Sequence, residues 1–262
     1  MILVSAFGRW TLNTAGALGR VAIMVRRAAK AILHGQLVPA LTIEQMNAIG
    51  VASFPVVGLT SLFTGMVLAF QSGFSFMKVF NEPIYVGSVV GLSLVKELGP
   101  VLTAMVIAGR VGASITAELG TMNVTEQLDA LYTLGTNPVR YLAVPRYISM
   151  MLMVPVLTAL SNIIGVTGGY IVAAAQLRIP GGVYWEEVKT FVDMGDVMHG
   201  LIKSFFFGLI MVTTSCYMGF NCSGGAEGVG KATTRAVVIS MVLILVGDYF
   251  LSAILVSLGI GG

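Results

Sequence analysis

The chain has 262 residues, of which 56% are hydrophobic and only 10% charged, and its mean hydropathy is +0.90. Soluble domains carry roughly 25% charged residues, so this composition points to an integral membrane protein. The net charge of +3 is small and no basic patch is interleaved with aromatics, which leaves nucleic-acid binding without support. Two cysteines, Cys216 and Cys222, are too few for a disulfide framework and lack metal-site spacing, so they read as buried thiols.

The N-terminus lacks a signal-peptide pattern, because Arg9 follows the first apolar residues and no cleavage site follows a short apolar core. From Ser5 to about Leu33, within a segment ending near residue 38, the chain fits a helix with two faces. Phe7, Trp10, Ala17, Val21, Met24, Ala28 and Ile32 cluster on one side, and Arg9, Arg20, Arg26, Arg27 and Lys30 fall opposite. That pattern predicts a helix lying in the membrane interface, its basic side toward lipid headgroups. A transmembrane span is the weaker reading of a segment with five cations.

Five apolar segments follow, at 46–70, 84–109, 147–175, 200–220 and 236–258, each about the 20 residues needed to cross a bilayer. The expected fold is an all-α integral membrane protein, a single unit of one interfacial helix and five transmembrane helices. Placing the N-terminal helix on the cytoplasmic side puts Arg140, Arg146, Lys231 and Arg235 there as well, whereas Lys78, Arg178 and Lys189 fall opposite. The positive-inside rule then predicts a cytoplasmic N-terminus and a C-terminus on the other side.

The loops differ in character. Leu68 to Tyr85 is rich in large apolar side chains, among them Phe70, Phe74, Phe76, Met77 and Phe80, which suit either an interface belt or the wall of a lipid-facing cavity. Glu118 to Arg146 is a long polar interruption. Within it Asn123 is placed to cap a helix over 124–134, Glu126 standing as its third residue and Gly135 with Asn137-Pro138 as its stop. Glu126, Gln127 and Asp129 would oppose an apolar side of Leu128, Leu131 and Leu134 that could dock into something. Ile179 to Asp196, with Pro180 and four acids, predicts an acidic cap or short surface helix. Glycines inside the segments, Gly65 and Gly165 among them, permit close helix approach.

Lys96, Glu97, Lys203 and Asp248 fall where lipid should be, and such charges are costly unless they face one another. They are expected to form one buried cluster, either a static ion-pair glue or a network that rearranges as helices move. A proton relay has less support, since His34 is placed at the interface and His199 at a span start, both as surface histidines. Gly225 to Lys231 matches the spacing of a phosphate-binding loop, but Ala232 stands where a magnesium-binding hydroxyl is needed, so a tight cytoplasmic loop is expected instead. No hydrolytic motif is present, and no metal site.

The run KELGPVLTAMVIAGRVGASITAELGTMNVTEQLDALYTLGTNPVRYLAVPR, with GMVLAFQ at Gly65 to Gln71 and KATTRAVV at Lys231 to Val238, resembles the MlaE permease family of ABC transporters. The resemblance implies a non-catalytic permease of the bacterial inner membrane that moves glycerophospholipids and serves outer-membrane lipid asymmetry. It implies a second copy of the chain, a cytoplasmic ATPase pair that binds ATP and magnesium, a STAS-domain protein held through the ATPase, and a periplasmic hexamer of MCE-domain proteins forming a lipid tunnel. No cofactor is expected on the chain itself. The resemblance makes Glu126, Gln127, Leu128, Asp129, Ala130 and Leu131 an ATPase-coupling helix. It makes Leu68, Gln71, Phe76, Met77 and Phe80 lipid-binding residues in a cavity between the first, second and fifth spans. An ion- or proton-coupled carrier using Lys96, Glu97, Lys203 and Asp248, and a scaffold that binds no lipid, are the alternatives.

Overall fold

The computed structural model describes residues 2–35, 38–80 and 85–261, without the side chains of residues 2–11, 13, 14 and 80. The expectations for the side chains of Phe7, Arg9, Trp10 and Phe80 therefore lie outside the described residues. The described chain is helical throughout: α1 (Ile2–Leu33), α2 (Pro39–Val79), α3 (Val86–Val124), α4 (Gln127–Thr133), α5 (Val139–Ala175), α6 (Gly181–Phe191), α7 (Met194–Phe220) and α8 (Gly225–Ser257). Five of these, α2, α3, α5, α7 and α8, are long and apolar enough to cross a membrane.

The spans run well past the apolar segments that mark them in sequence. At about 1.5 Å per residue, α3, with 39 residues, is far longer than the roughly 30 Å hydrocarbon layer. The polar stretch beginning at Glu118 therefore starts inside a helix rather than in a loop. Leu68 to Phe80, expected as a loop, continues the first span, because nothing before residue 80 breaks the helix. Gly225 to Lys231, expected as a tight loop, forms the opening turns of α8 after Gly224 and Gly225 turn the chain with φ of 93° and 65°.

Four π-helical turns interrupt the spans, at Asn47–Val51, Ser93–Leu98, Ala108–Gly112 and Val139–Ala143. Each holds one extra residue per turn and re-phases the side chains beyond it. The spans pack through small residues. A Cβ on Gly65 would collide with the carbonyl of Gly165, so α2 and α5 touch backbone to backbone there. The larger core gathers Ile107, Tyr147, Met150, Phe207 and Met211 between α3, α5 and α7, and Met24, Ala28 and Ala31 anchor α1 to it. By contrast only 11% of the apolar window of α8 is buried, against 50% for α3 and α7. The last span is the outermost.

α6 is the short surface helix anticipated from the acidic stretch. Its Glu187 accepts from the backbone N–H groups of Tyr85 (3.2 Å) and Gly87 (2.8 Å), placing a carboxylate at the N-terminus of α3. Tyr184, fully buried, donates to the carbonyl of Val166 at 3.0 Å. Burial pushes its phenol above the usual tyrosine range, and the charge of Glu187 pushes it further.

Candidate functional site

Lys203 sits on α7 with no exposed surface. An ammonium carries three N–H donors. These reach Glu97 Oε2 at 2.5 Å, Ser252 Oγ at 2.9 Å and the main-chain carbonyl of Lys96 at 3.3 Å. That carbonyl lies four residues before Pro100, which has no N–H to offer it, so the lysine occupies a gap that the sequence opens. Asp248 Oδ1 forms an ion pair with the same ammonium at 2.5 Å. Ser252, one turn beyond Asp248, donates to Glu97 Oε1 at 3.2 Å and closes the network.

The structure thus brings Glu97, Lys203 and Asp248 together from three spans. It separates Lys96, whose ammonium lies 3.5 Å from Asp196 Oδ1 instead. Consecutive helical residues point about 100° apart, so Lys96 and Glu97 cannot both face one partner, and the expected four-membered cluster divides in two. His199 is also not a surface residue. It has no exposed surface, and its Nδ1 donates to the carbonyl of Ile260 at 3.0 Å. Its Nε2 is 3.9 Å from Glu97 Oε1 and has no hydrogen-bond partner among the described residues. Two carboxylates thus share one ammonium, and Glu97, whose side chain is 42% exposed, is the most open of the three.

The residues expected to bind lipid do not share one surface. Leu68 and Phe76 pack against the smaller core of Ala69, Val90, Val172 and Tyr184. Gln71 and Met77 are exposed, on different flanks of α2. The outward stripe is formed instead by Val56, Leu59, Phe63, Val67, Phe70 and Phe74, at the three- and four-residue spacing of one helix face. α8 presents a second such stripe that includes Val242, Val246, Tyr249 and Phe250.

At the other end of the bundle, α4 begins at Gln127 and not at Val124. Glu126 precedes it in the left-handed region, φ 59°, and no side chain caps its first turn. Asn123 does not cap it, because its Nδ2 donates to the carbonyl of Cys222 at 2.7 Å and ties α3 to the end of α7. The stop works as the sequence suggests. Gly135 turns with φ 72°, Thr136 donates back to the carbonyl of Leu131 at 3.0 Å, and Asn137 Oδ1 accepts from Val139 to start α5. Leu128 is buried in its own chain and Leu131 half-buried, while Glu126, Gln127, Asp129, Ala130 and Leu134 are exposed. The apolar side expected to await a partner is therefore partly spent on the chain's own helices. The lysine of the segment with phosphate-loop spacing is engaged locally, since Lys231 pairs with Glu227 at 2.5 Å within the first turns of α8.

Ser252, His199 and Asp196 are the members that the sequence reading missed. Ser252 follows Asp248, and His199 precedes Lys203, by four residues, the spacing that stacks side chains on one helix face, and that periodicity could have found both.

A family model for the permease MlaE matches residues 42–254, most of the first and last spans and all of the three between them. The chain belongs to the MlaE permease family. A probable ABC transporter permease of Rickettsia conorii is 42% identical over 250 residues, covering 95% of this chain and 96% of that protein. One from Synechocystis is 44% identical over 221 residues, 84% of each. The intermembrane phospholipid transport system permease of Haemophilus influenzae is 35% identical over 257 residues, 98% of each. The MlaE match takes in the α4 hairpin as well as the charged network, so both ends of the bundle fall within what the family shares.

Proposed function

We propose that this permease moves glycerophospholipids across the space between two bacterial membranes, as the permease half of an ATP-driven complex. The reading rests on the full-length similarity to the Haemophilus influenzae phospholipid permease. The geometry agrees with it at three points. The exposed residues Glu126, Gln127, Asp129 and Ala130 of the α4 hairpin form a surface on which a separate ATPase pair, carrying ATP and magnesium, can push. The exposed apolar stripes of α2 and α8 suit a second copy of the chain, with acyl chains lodged between the two. Leu68, Gln71, Phe76, Met77 and Phe80 would then border that lipid only after dimerisation has brought a second surface to α2. The network of Glu97, Lys203 and Asp248, with Lys96 beside it, stands where motion passed along the spans would be felt.

In this reading the N-terminus and α4 lie in the cytoplasm of an inner-membrane protein and the C-terminus faces the periplasm. There an MCE-domain hexamer would exchange lipid with the permease and support outer-membrane asymmetry, and a STAS-domain protein would ride on the ATPase. Reconstitution of the chain with its ATPase and MCE partners, following labelled phospholipid between two vesicle populations, tests it. Transfer should require ATP and should fall with Asp129→Ala and Leu131→Ala while nucleotide binding persists. Transport by the chain alone under an ion gradient would overturn the proposal in favour of a carrier built on the buried charges.

A further inference from the structure

Between the C-terminal turns of α1 and the start of α5 lies an open cavity of about 330 Å³, lined by Arg27, Lys30, His34, Asn137 and Arg140 together with Ala31 and Val139. Two separate elements build it. Arg27, Lys30 and His34 are three and four residues apart and so lie along one flank of α1, beside the buried stripe of Met24, Ala28 and Ala31 that fixes the helix in place. Arg140 approaches from the π-helical turn that opens α5. A second cavity, of the same volume, lies against Arg140 and Asn137 and is bordered by Gly135, Thr136 and Tyr141.

None of Arg27, Lys30 and Arg140 forms an ion pair with a described carboxylate. Three cations converging on one concave site without an anion repel one another and are stabilised by an anion that bridges them. The site sits at the α4 end of the bundle. Pro138 and Val139 share a groove there with Phe220, the last residue of α7, whereas Lys203 and Asp248 meet near the start of α7. It is therefore distinct from the charged network. Next to it the outer face of α1 exposes Ile23 (52%) and Leu33 (85%), which suit acyl chains better than water.

We propose that this cavity binds the phosphate of an anionic phospholipid in the adjoining leaflet, its acyl chains lying along Ile23 and Leu33. A phosphodiester offers acceptor oxygens to both guanidinium groups and to the Lys30 ammonium, with the Asn137 amide beside them. The bound headgroup joins α1 to the segment that links α4 to α5. The chemistry would suit inorganic phosphate too, but the apolar flank of α1 favours the lipid. This inference does not depend on which substrate the permease transports.

Native mass spectrometry of the purified full-length chain, given equal amounts of phosphatidylglycerol and phosphatidylethanolamine, tests it. Phosphatidylglycerol should be retained preferentially. Arg27→Gln and Arg140→Gln, on different elements, should each lower that retention about fivefold, and the triple variant with Lys30→Gln about a hundredfold. Arg26→Gln, on the same helix but outside the cavity, should change it little. Equal effects of Arg26→Gln and Arg27→Gln would overturn the proposal, leaving only a charged surface. Inorganic phosphate displacing the lipid at equal concentration would overturn the lipid assignment in favour of a free anion. Unchanged lipid retention with lost ATPase co-purification in the triple variant would overturn it in favour of a protein contact.

Discussion

Arg146 Nη2 lies 2.8 Å from Glu118 Oε2, and the pair, 28 positions apart, closes the hairpin that carries α4 between α3 and α5. The arginine is nearly buried, 7% exposed, and also donates to the carbonyl of Leu142, whereas the glutamate is half in solvent. An ion pair with one exposed partner contributes about 1 kcal/mol or less. Its effect is therefore on where the hairpin opens rather than on whether the protein folds. In Glu118→Gln, hydrogen exchange over residues 118–146 should accelerate several-fold while the melting temperature stays nearly constant.

Lys203 predicts a larger effect. Removing one partner of a buried charge network costs about 3–5 kcal/mol, because the remaining charges are left uncompensated. Lys203→Met should lower the thermal midpoint of the detergent-purified protein sharply. The triple variant Glu97→Gln, Lys203→Met, Asp248→Asn should recover much of that loss. Equal midpoints for the single and triple variants would show that the charges do not act as one unit.

The backbone contact of α2 with α5 can be tested directly. Gly65→Ala places a methyl group on the Gly165 carbonyl and should destabilise the protein by about 1–3 kcal/mol, the range for overpacking a tight core. Gly182→Ala, where an added Cβ meets nothing within 4 Å, is the control and should leave the unfolding midpoint unchanged.

Tyr184 gives a pH dependence with a definite sign. An unfolded phenol titrates near pH 10. Burial first, and Glu187 second, raise its folded value. The neutral phenol thus stabilises the fold fully below about pH 10, and the contribution is lost as pH rises toward the folded value. A near-ultraviolet titration of the native protein should show a late-ionising phenol component above pH 10, and Tyr184→Phe should reduce that component by one tyrosine.

The spans were legible because apolar runs of bilayer length have few other uses, and the charges within them announced that something must neutralise them. Their partners were not legible. Which way Glu97 points depends on the π-helical turn that contains it, and an inserted residue changes the rotation of everything beyond it without changing hydropathy. For the same reason Lys96 could not be assigned to Asp196 from spacing alone. The α4 hairpin was half legible: Gly135 ends α4 through a backbone geometry that glycine favours, whereas Asn123 has a better acceptor 99 residues away, and local capping rules do not see distant carbonyls. The burial of Leu68 and Phe76 was hidden for a different reason, since the core that covers them comes from other helices.

The fully buried ammonium of Lys203 also constrains how the chain is made. A lysine opposes insertion by about 2.5–3.5 kcal/mol at the centre of a bilayer and by less toward either end, so Lys203, in the first half of α7, makes that span harder to insert without a partner. Synthesis supplies Glu97 beforehand on α3 and Asp248 and Ser252 only afterwards on α8. Until the last span arrives, α7 holds its cation with one carboxylate of the two, so α8, whose apolar window is the least buried, is the helix that completes the charge pairing of its neighbour.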